Sequence, residues 1–404
     1  MIDLGLARIA ALLKHTPQSW KAIHVAGTNG KGSICAYLTA MLRAKNISCG
    51  RFTSPHLIDR WDCITINDGA ISEAKFHYFE DAVKKRNEDQ QLGASEFELL
   101  TATAFEIFES EKVDVGVIET GLGGALDATN ALSQKSVTVI SKIGLDHQSF
   151  LGNTIEEISL QKAGIMRPGV PCIVDGSNPP SVLDVVREHA KSVGTTATVV
   201  YPESRALVRE LHHTLEPHQR QNLASADEAF RLMYPQHAGD TSILAQAIEK
   251  IVWPGRLQLL DIESLTGRKN HVLLDGAHNP QSAEALAAYV EKRLRGGGKP
   301  VTYVLAASEG KDIKEIMEYI LRPGDHVAAV EFGPVDGMPW VKAMKSPNIL
   351  HVASSCGIAA TSQFDGHANI QAALDWASRT ASEGPLVTAG SLYLVSDILR
   401  MLRN

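Results

Sequence analysis

The sequence holds no run of about 20 uncharged apolar residues, the length a helix needs to cross a bilayer, so neither a membrane span nor a membrane partner is expected. Its first segment, MIDLGLARIAALLKHTPQSW, lacks the apolar stretch and small-residue cleavage site of a secretory signal. Leu6, Ile9, Leu12 and Leu13 fall on one face of that segment, with Asp3 near its start, which predicts a short amphipathic structural helix. A cytoplasmic location follows, with a mitochondrial address as the alternative. Positive charge is also short: 39 Lys+Arg stand against 46 Asp+Glu, a net charge of -7, the wrong sign for a protein held on nucleic acid by phosphate neutralisation. A local basic pocket remains open. The five cysteines (Cys35, Cys49, Cys63, Cys172, Cys356) include no C-x-x-C pair, which excludes a disulfide frame or thiolate zinc site and fits reduced thiols. There is no repeat of fixed period and no long low-complexity tract.

What is there is ordinary globular composition, 44% hydrophobic and 21% charged, on 404 residues. That length calls for about two or three domains, and two is the simpler expectation. Short β-branched runs alternate with helical patterns: AIHVAG (22–27), VDVGVIE (113–119), SVTVISKIG (136–144), GVPCIV (169–174) and TATVVY (196–201). Such alternation predicts parallel strands with crossover helices, hence a three-layer α/β domain. After WPGRLQ (253–258) the rhythm restarts with HVLLD (271–275), VTYVLAA (301–307), HVAAVEF (326–332), NILHVA (348–353) and PLVTAG (385–390). A second α/β domain is therefore expected. The Pro-Gly pair at 254–255 predicts a turn at the junction, so the domains are drawn at 1–257 and 258–404. RGGGKP (295–300) reads as a flexible loop of the second domain.

GTNGKGS (27–33) departs from the usual G-x-x-x-x-G-K-[ST] phosphate loop: Val25 stands where the first glycine belongs, five places before Gly30, and Gly32 separates Lys31 from Ser33. Taken alone, it reads as a tight turn with a solvated lysine. Its setting changes that, because AIHVAG precedes it as a buried strand and SICAYLTAMLRAK follows as a helix with Ile34, Leu38, Met41 and Leu42 inward. Strand, glycine turn and helix together aim backbone N–H groups and a positive helix end at phosphate, with a lysine for its outer oxygens. Glu119 falls at the end of the 113–119 run, and Asp146 and His147 follow the next one. Ligands of open α/β sheets bind beyond the carboxyl ends of strands, so these groups are expected to share one mouth with Lys31 as Mg²⁺ ligands beside phosphate. Singly, Glu119 also reads as a helix cap and His147 as a turn histidine.

The motifs GTNGKGS, FTSPHL (52–57), ETGLGGALDATN (119–130), IGLDH (143–147), QKAGIMRPG (161–169), HQRQN (218–222), PGRLQ (254–258), LDGAHNP (274–280) and GSLYL (390–394) run the length of the chain. In that order they resemble the dihydrofolate synthase and folylpolyglutamate synthase family of the Mur-ligase superfamily. The resemblance implies an N-terminal P-loop-type ATPase domain followed by a smaller Rossmann-like domain. It implies that Gly27, Thr28, Asn29, Gly30, Lys31, Gly32 and Ser33 hold ATP, with Lys31 on the outer phosphates and Ser33 near the metal-phosphate region. Ser54, Glu119 and His147 resemble the family's magnesium ligands, at two Mg²⁺ sites, and a monovalent cation is a further candidate. An ammonium cannot coordinate a metal, having donors and no acceptor, but Lys162 of QKAGI matches a lysine that relatives convert to a carbamate, a carboxylate-like ligand. Its plain reading is a solvated lysine on the helix that carries Glu156 and Glu157. Across the presumed crevice, Asn222 resembles an adenine-contacting asparagine and Arg256 an arginine that reaches ATP phosphates, a task that suits a planar guanidinium. Asp275 and His278 resemble a pair that bridges nucleotide and reaction centre, and also read as a capped turn. Ser391 matches a family serine.

The reaction implied is ATP-dependent amide formation: a carboxylate of dihydropteroate or a folate takes the γ-phosphoryl group, and L-glutamate's amine displaces phosphate. Preorganised charge from Lys31, Mg²⁺ and Arg256 would stabilise the transferred phosphoryl group, and a closed crevice would keep water from the acyl phosphate. The base is unassigned, with His278 its candidate. Ala125 stands where many relatives carry a polar or charged residue, often Arg, which bears on substrate identity. Trp61 reads either as a platform for a flat ring or as packing. The compact chain resembles fungal dihydrofolate synthases, so dihydropteroate is the first-ranked acid and a reduced folate the second. A family ligase recruited to another acid, and a nucleotide-binding regulator without catalysis, are the rivals. A monomer is the default.

Overall fold

The computed structural model describes residues 4–403, so Asp3 lies outside the described residues. By contact the chain divides into two compact units, Met1–His56 with Trp61–Val252, and Leu57–Arg60 with Trp253–Asn404. The turn at 254–255 forms, with Gly255 at φ 68°, and it is built into the second unit: Gly276 N donates to Gly255 O at 2.8 Å and Leu257 N to Asp275 Oδ2 at 2.8 Å.

The first unit holds β1 (Lys21–Ala26), β2 (Cys49–Phe52), β3 (Ile64–Ile66), β4 (Gly69–Ala70), β5 (Val115–Glu119), β6 (Lys135–Ile140), β7 (Cys172–Asp175) and β8 (Ala197–Val200). They form one sheet in the order β4-β3-β2-β5-β1-β6-β7-β8. The expectation of parallel strands holds from β2 to β8, but β3 and β4 extend the edge as an antiparallel hairpin. The chain leaves β1 for β2 and β5 on one side, then returns to β6, β7 and β8 on the other. The carboxyl end of β1 is therefore the switch point at which open α/β sheets bind ligands. Helices cover both faces. On one, Ile34, Leu38, Met41 and Leu42 of α2 (Lys31–Ala44; the preceding α1 is Ala7–Leu12) pack with Leu223 and Phe230 of the helix Pro217–Met233. On the other, Ile9 and Leu12 of α1 join Trp20, Phe105 and Phe108.

The second unit holds β9 (Gln258–Leu260), β10 (Val272–Leu274), β11 (Thr302–Leu305), β12 (His326–Val330), β13 (Gln363–His367) and β14 (Leu386–Ala389), in the order β13-β12-β11-β14-β10-β9. All neighbours are parallel except β9 against β10. The strand expected at NILHVA is instead part of the helix Ser346–Ser355. Pro347 suits a first helical turn, and Ile349 and Ala353 are buried while His351 between them is exposed, a helical rather than alternating spacing. The strand at that edge is QFDGH, β13, whose residues are mostly half-buried and carry no β-branched side chain. The RGGGKP loop begins on a fixed anchor, because Arg295 is buried and its guanidinium donates to both Asp325 oxygens at 2.6 and 2.8 Å. Leu57–Arg60 belongs here too: Arg400 Nη2 donates to Ile58 O at 2.8 Å.

Candidate active site

The loop after β1 is held open from below. Thr28 N and Asn29 N donate to Lys142 O at 2.8 and 3.1 Å, Ser141 Oγ donates to Asn29 O at 2.8 Å, and Thr28 Oγ1 bonds Gly144. Gly27 at φ 151° and Gly30 at φ 91° take conformations that L side chains rarely adopt, and a Cβ on Gly30 would collide with Asn222 Oδ1. Gly30 is also the N-cap of α2, which has no side-chain cap and no acid in its first turn. The first-turn N–H groups of a helix lack intrahelical acceptors, so Lys31, Gly32 and Ser33 offer an uncapped positive end. This is a cradle for an anion.

Two of the expected groups, Glu119 and Lys162, reach it. Glu119 is the last residue of β5, buried, with Lys31 Nζ 3.5 Å from its Oε1. Lys31 also donates to Thr28 O at 3.3 Å. Lys162, on the helix Ile155–Ala163, is buried rather than solvated, and its Nζ donates to Gly27 O at 2.8 Å. Burial first, then the Lys31 charge, pulls its ammonium down to about 7, against Asp146 and Asp127. Ser54 is half-buried in the loop after β2. His147, at φ 53°, precedes the short helix Gln148–Leu151 with its side chain 48% exposed, and its Nε2 lies 3.8 Å from Asp146 Oδ2. Among the described residues no three His, Cys, Asp or Glu side chains assemble as a metal cage, so Glu119 and His147 are not drawn into one. Mg²⁺ fits that sparseness: it is held by one or two carboxylates plus phosphate oxygens and water.

Asn222 is buried against Gly30, in the same unit as the loop and not on an opposite wall as the presumed crevice had it. Trp61 packs at 6.5 Å from the Phe76 ring, which favours its packing reading. Ala125 N donates to Gln161 O at 2.8 Å, seating its loop against the helix of Lys162.

In the second unit, Asp275 follows β10 and accepts from Leu257 N and Ala277 N at 2.8 Å each. Burial raises its carboxyl above the usual range, opposed by Arg256. Arg256 Nη1 donates to Gly255 O at 3.1 Å. His278 Nδ1 lies 2.9 Å from Gly276 O. Ser391, after the neighbouring β14, accepts from Tyr393 N at 3.1 Å. Asp275 N donates to Thr388 O of β14 at 3.0 Å, so the Asp275 and Ser391 turns sit side by side.

Sequence reasoning missed a buried polar set behind Glu119: His24, Asp127, Thr129, Asn130 and Lys135. A histidine inside an apolar strand, and a DATN string read only as a motif, were the available signals. Lys135 Nζ donates to Asn130 Oδ1 and to Ile165 O, the latter at 2.8 Å, and burial pulls it down to about 6.

A phosphate-loop α/β unit followed by a smaller Rossmann-like α/β unit is the Mur-ligase architecture, and fold and site put the chain in that class. Residues 258–401 match the family model described as dihydrofolate synthetase, C-terminal domain. The whole chain is 38% identical to a probable dihydrofolate synthetase of Schizosaccharomyces pombe, covering 99% of it, and 36% identical to dihydrofolate synthetase of Saccharomyces cerevisiae, covering 100%. In structure it is similar to Mycobacterium tuberculosis folylpolyglutamate synthase complexed with ADP, with a TM-score of 0.83 and 25% identity, over 100% of this chain and 95% of that one. The chain belongs to the dihydrofolate synthetase and folylpolyglutamate synthase family. Among the described residues no helix is long and apolar enough to cross a membrane.

Proposed function

We propose that the protein is an ATP-dependent ligase that joins L-glutamate to dihydropteroate through an acyl phosphate, releasing dihydrofolate, ADP and phosphate. The observation that carries the reading is full-length likeness to two yeast dihydrofolate synthetases, on a chain whose α2 presents an uncapped N-terminus to an anion. Lys31 and the amides of Gly30 to Ser33 bind and orient the phosphates, and Asn222 reads the adenine. The substrate carboxylate attacks the γ-phosphorus, the bond to the ADP oxygen breaks, and the glutamate amine then expels phosphate from the acyl carbon. Glu119, with Ser54 and His147, would hold Mg²⁺, which supplies charge neutralisation at the transferred phosphoryl group. Lys162, whose pKa is pulled down to about 7, would add CO₂ through its neutral amine and lose a proton to become a carbamate, which would offer carboxylate-like oxygens to Mg²⁺. Arg256, Asp275, His278 and Ser391 serve nucleotide and glutamate in the second unit. The enzyme works as a cytoplasmic monomer.

Folylpolyglutamate synthesis is the second reading, favoured by 32% identity to Bacillus subtilis dihydrofolate synthase/folylpolyglutamate synthase over 99% of this chain. Supplying ATP, Mg²⁺ and L-glutamate with either dihydropteroate or tetrahydrofolate, and following phosphate release and product mass, separates them. Turnover with dihydropteroate alone is the expected result. Turnover with neither acid, despite ATP binding, sinks both.

A further inference from the structure

His24 lies in the middle of β1, fully buried between Ile23 and Val25, where an apolar residue would serve the sheet as well. Its Nε2 is 2.8 Å from Thr129 Oγ1, while its Nδ1 is buried with no hydrogen-bond partner among the described residues. Leaving a buried polar atom unpaired is unfavourable by about 1–3 kcal/mol, so the imidazole calls for an explanation.

The direction of the chain follows from counting protons. A threonine hydroxyl has one proton to give. Thr129 gives it to Asp127 Oδ1, in a short contact, and Thr129 N donates to the same oxygen at 3.0 Å. With Asp127 ionised, Thr129 Oγ1 can then only accept from the imidazole, which puts a proton on His24 Nε2; Nδ1 has no acceptor among the described residues to support a second proton, so the ring is the neutral Nε2–H tautomer. Burial, with the charges of Lys135 and Arg167, lowers the His24 pKa well below its ordinary value, in the same sense.

At its other end the chain grips the backbone behind Glu119. Asp127 Oδ2 accepts from Leu122 N at 2.7 Å, and Thr120 N donates to Val25 O of β1 at 2.9 Å. The far side of the loop is stitched to the helix of Lys162: Asn130 Nδ2 donates to Ala125 O at 2.9 Å and to Gly164 O at 3.1 Å. The peptides immediately after Glu119 are thus clamped between β1 and Asp127.

We propose that His24 is a positioning residue for Glu119, acting through Thr129 and Asp127 to fix the backbone of residues 120–122 and so the direction of the Glu119 carboxylate. The consequence for metal use rests on the reading of Glu119 given above; the clamp itself does not. Thr129→Val removes the hydroxyl at nearly constant shape and Thr129→Ser restores it, while His24→Leu removes the donor.

In protein free of metal and nucleotide, hydrogen exchange at the Leu122 amide is expected to quicken about tenfold or more in Thr129→Val and His24→Leu, a loss on the scale of one buried hydrogen bond. Thr129→Ser is expected to return it to the wild-type rate. Nitrogen NMR is expected to show His24 protonated on Nε2 alone. In turnover, the Mg²⁺ concentration for half-maximal ADP formation should rise about tenfold in Thr129→Val, the scale of outer-shell effects on metal sites, with kcat at saturating metal nearly kept. If Leu122 exchange stays at the wild-type rate in folded Thr129→Val, or Thr129→Ser fails to restore it, or His24 carries its proton on Nδ1, the proposal is overturned. Should His24→Leu not fold, the Thr129 pair carries the test. Glu119→Gln separates the two levels: an unchanged Mg²⁺ requirement there refutes the metal reading of Glu119, whereas the exchange result judges the clamp.

Discussion

Two helices of this molecule begin in the same way, after a parallel strand and a tight turn, and they end up with opposite uses. α2 follows β1 with Gly30 at its N-cap, no side chain closing its first turn, and Lys31 as its first residue. The helix Pro280–Arg293 follows β10 with Asn279 at its N-cap, whose side chain accepts from Ser282 N at 3.0 Å, and Pro280 contributes no N–H at all. Just ahead of it Asp275 already satisfies two backbone amides with its own carboxylate. Both ends carry the partial positive charge of a helix dipole, but only α2 leaves it free for a ligand. Strand, turn and helix are therefore not in themselves a phosphate site. What decides is whether the chain caps the helix end with its own side chains.

That contrast is open to attack by mutation. Lys31→Ala, which strips the cation from the open end, should lower turnover about 10²–10³-fold, as loss of a preorganised transition-state group does, with the melting temperature nearly unchanged. A steady-state assay with a thermal melt decides it. Lys162→Ala should lower turnover by roughly 10–100-fold, with partial rescue by small carboxylates in the absence of bicarbonate; full activity would refute its role at the metal. Lys162 also predicts a pH trend. Its folded value of about 7 lies below the 10.5 of a free lysine, so the burial penalty is complete below about pH 7 and fades as pH rises toward 10.5. In CO₂-free buffer, where the amine is not carbamylated, denaturant titrations should show wild type gaining stability relative to Lys162→Met across that window. A flat difference would mean that the amine is not buried as described.

Gly30→Ala sets a Cβ against Asn222 at a left-handed φ and should weaken nucleotide binding about tenfold or more, given strain of about 1–3 kcal/mol. Calorimetric titration with ADP measures it. Asn279→Ala is the smallest expected effect, a loss of about 1 kcal/mol of stability with nucleotide binding through α2 intact. An Asn279→Ala protein that loses ADP binding while remaining folded would erase the distinction between the two helix ends.

Much of this arrangement is readable in the sequence, for reasons that differ between residues. β1, β5, β6, β11, β12 and β14 declare themselves because both faces of their sheets are covered and burial demands unbroken apolar runs. Lys31 and Glu119 follow from strand ends at a switch point, and the fold brings them to 3.5 Å. NILHVA misleads because a short apolar run has no fixed period until its neighbours are known, and QFDGH hides because an edge strand buries too little to need a pattern. The clamp behind Glu119 is invisible for another reason. Hydrogen-bond direction among His24, Thr129 and Asp127 depends on contacts between residues 105 positions apart, and no local pattern encodes it.

The central claim is that the open end of α2 receives the nucleotide's phosphates. A crystal structure with Mg²⁺ and a nonhydrolysable ATP analogue is its most direct test. The account predicts β- and γ-phosphate oxygens within hydrogen-bond distance of the Gly30 to Ser33 amides and of Lys31 Nζ. Phosphates seated instead at the Asn279 end of the second unit, with those amides facing only solvent, would contradict it.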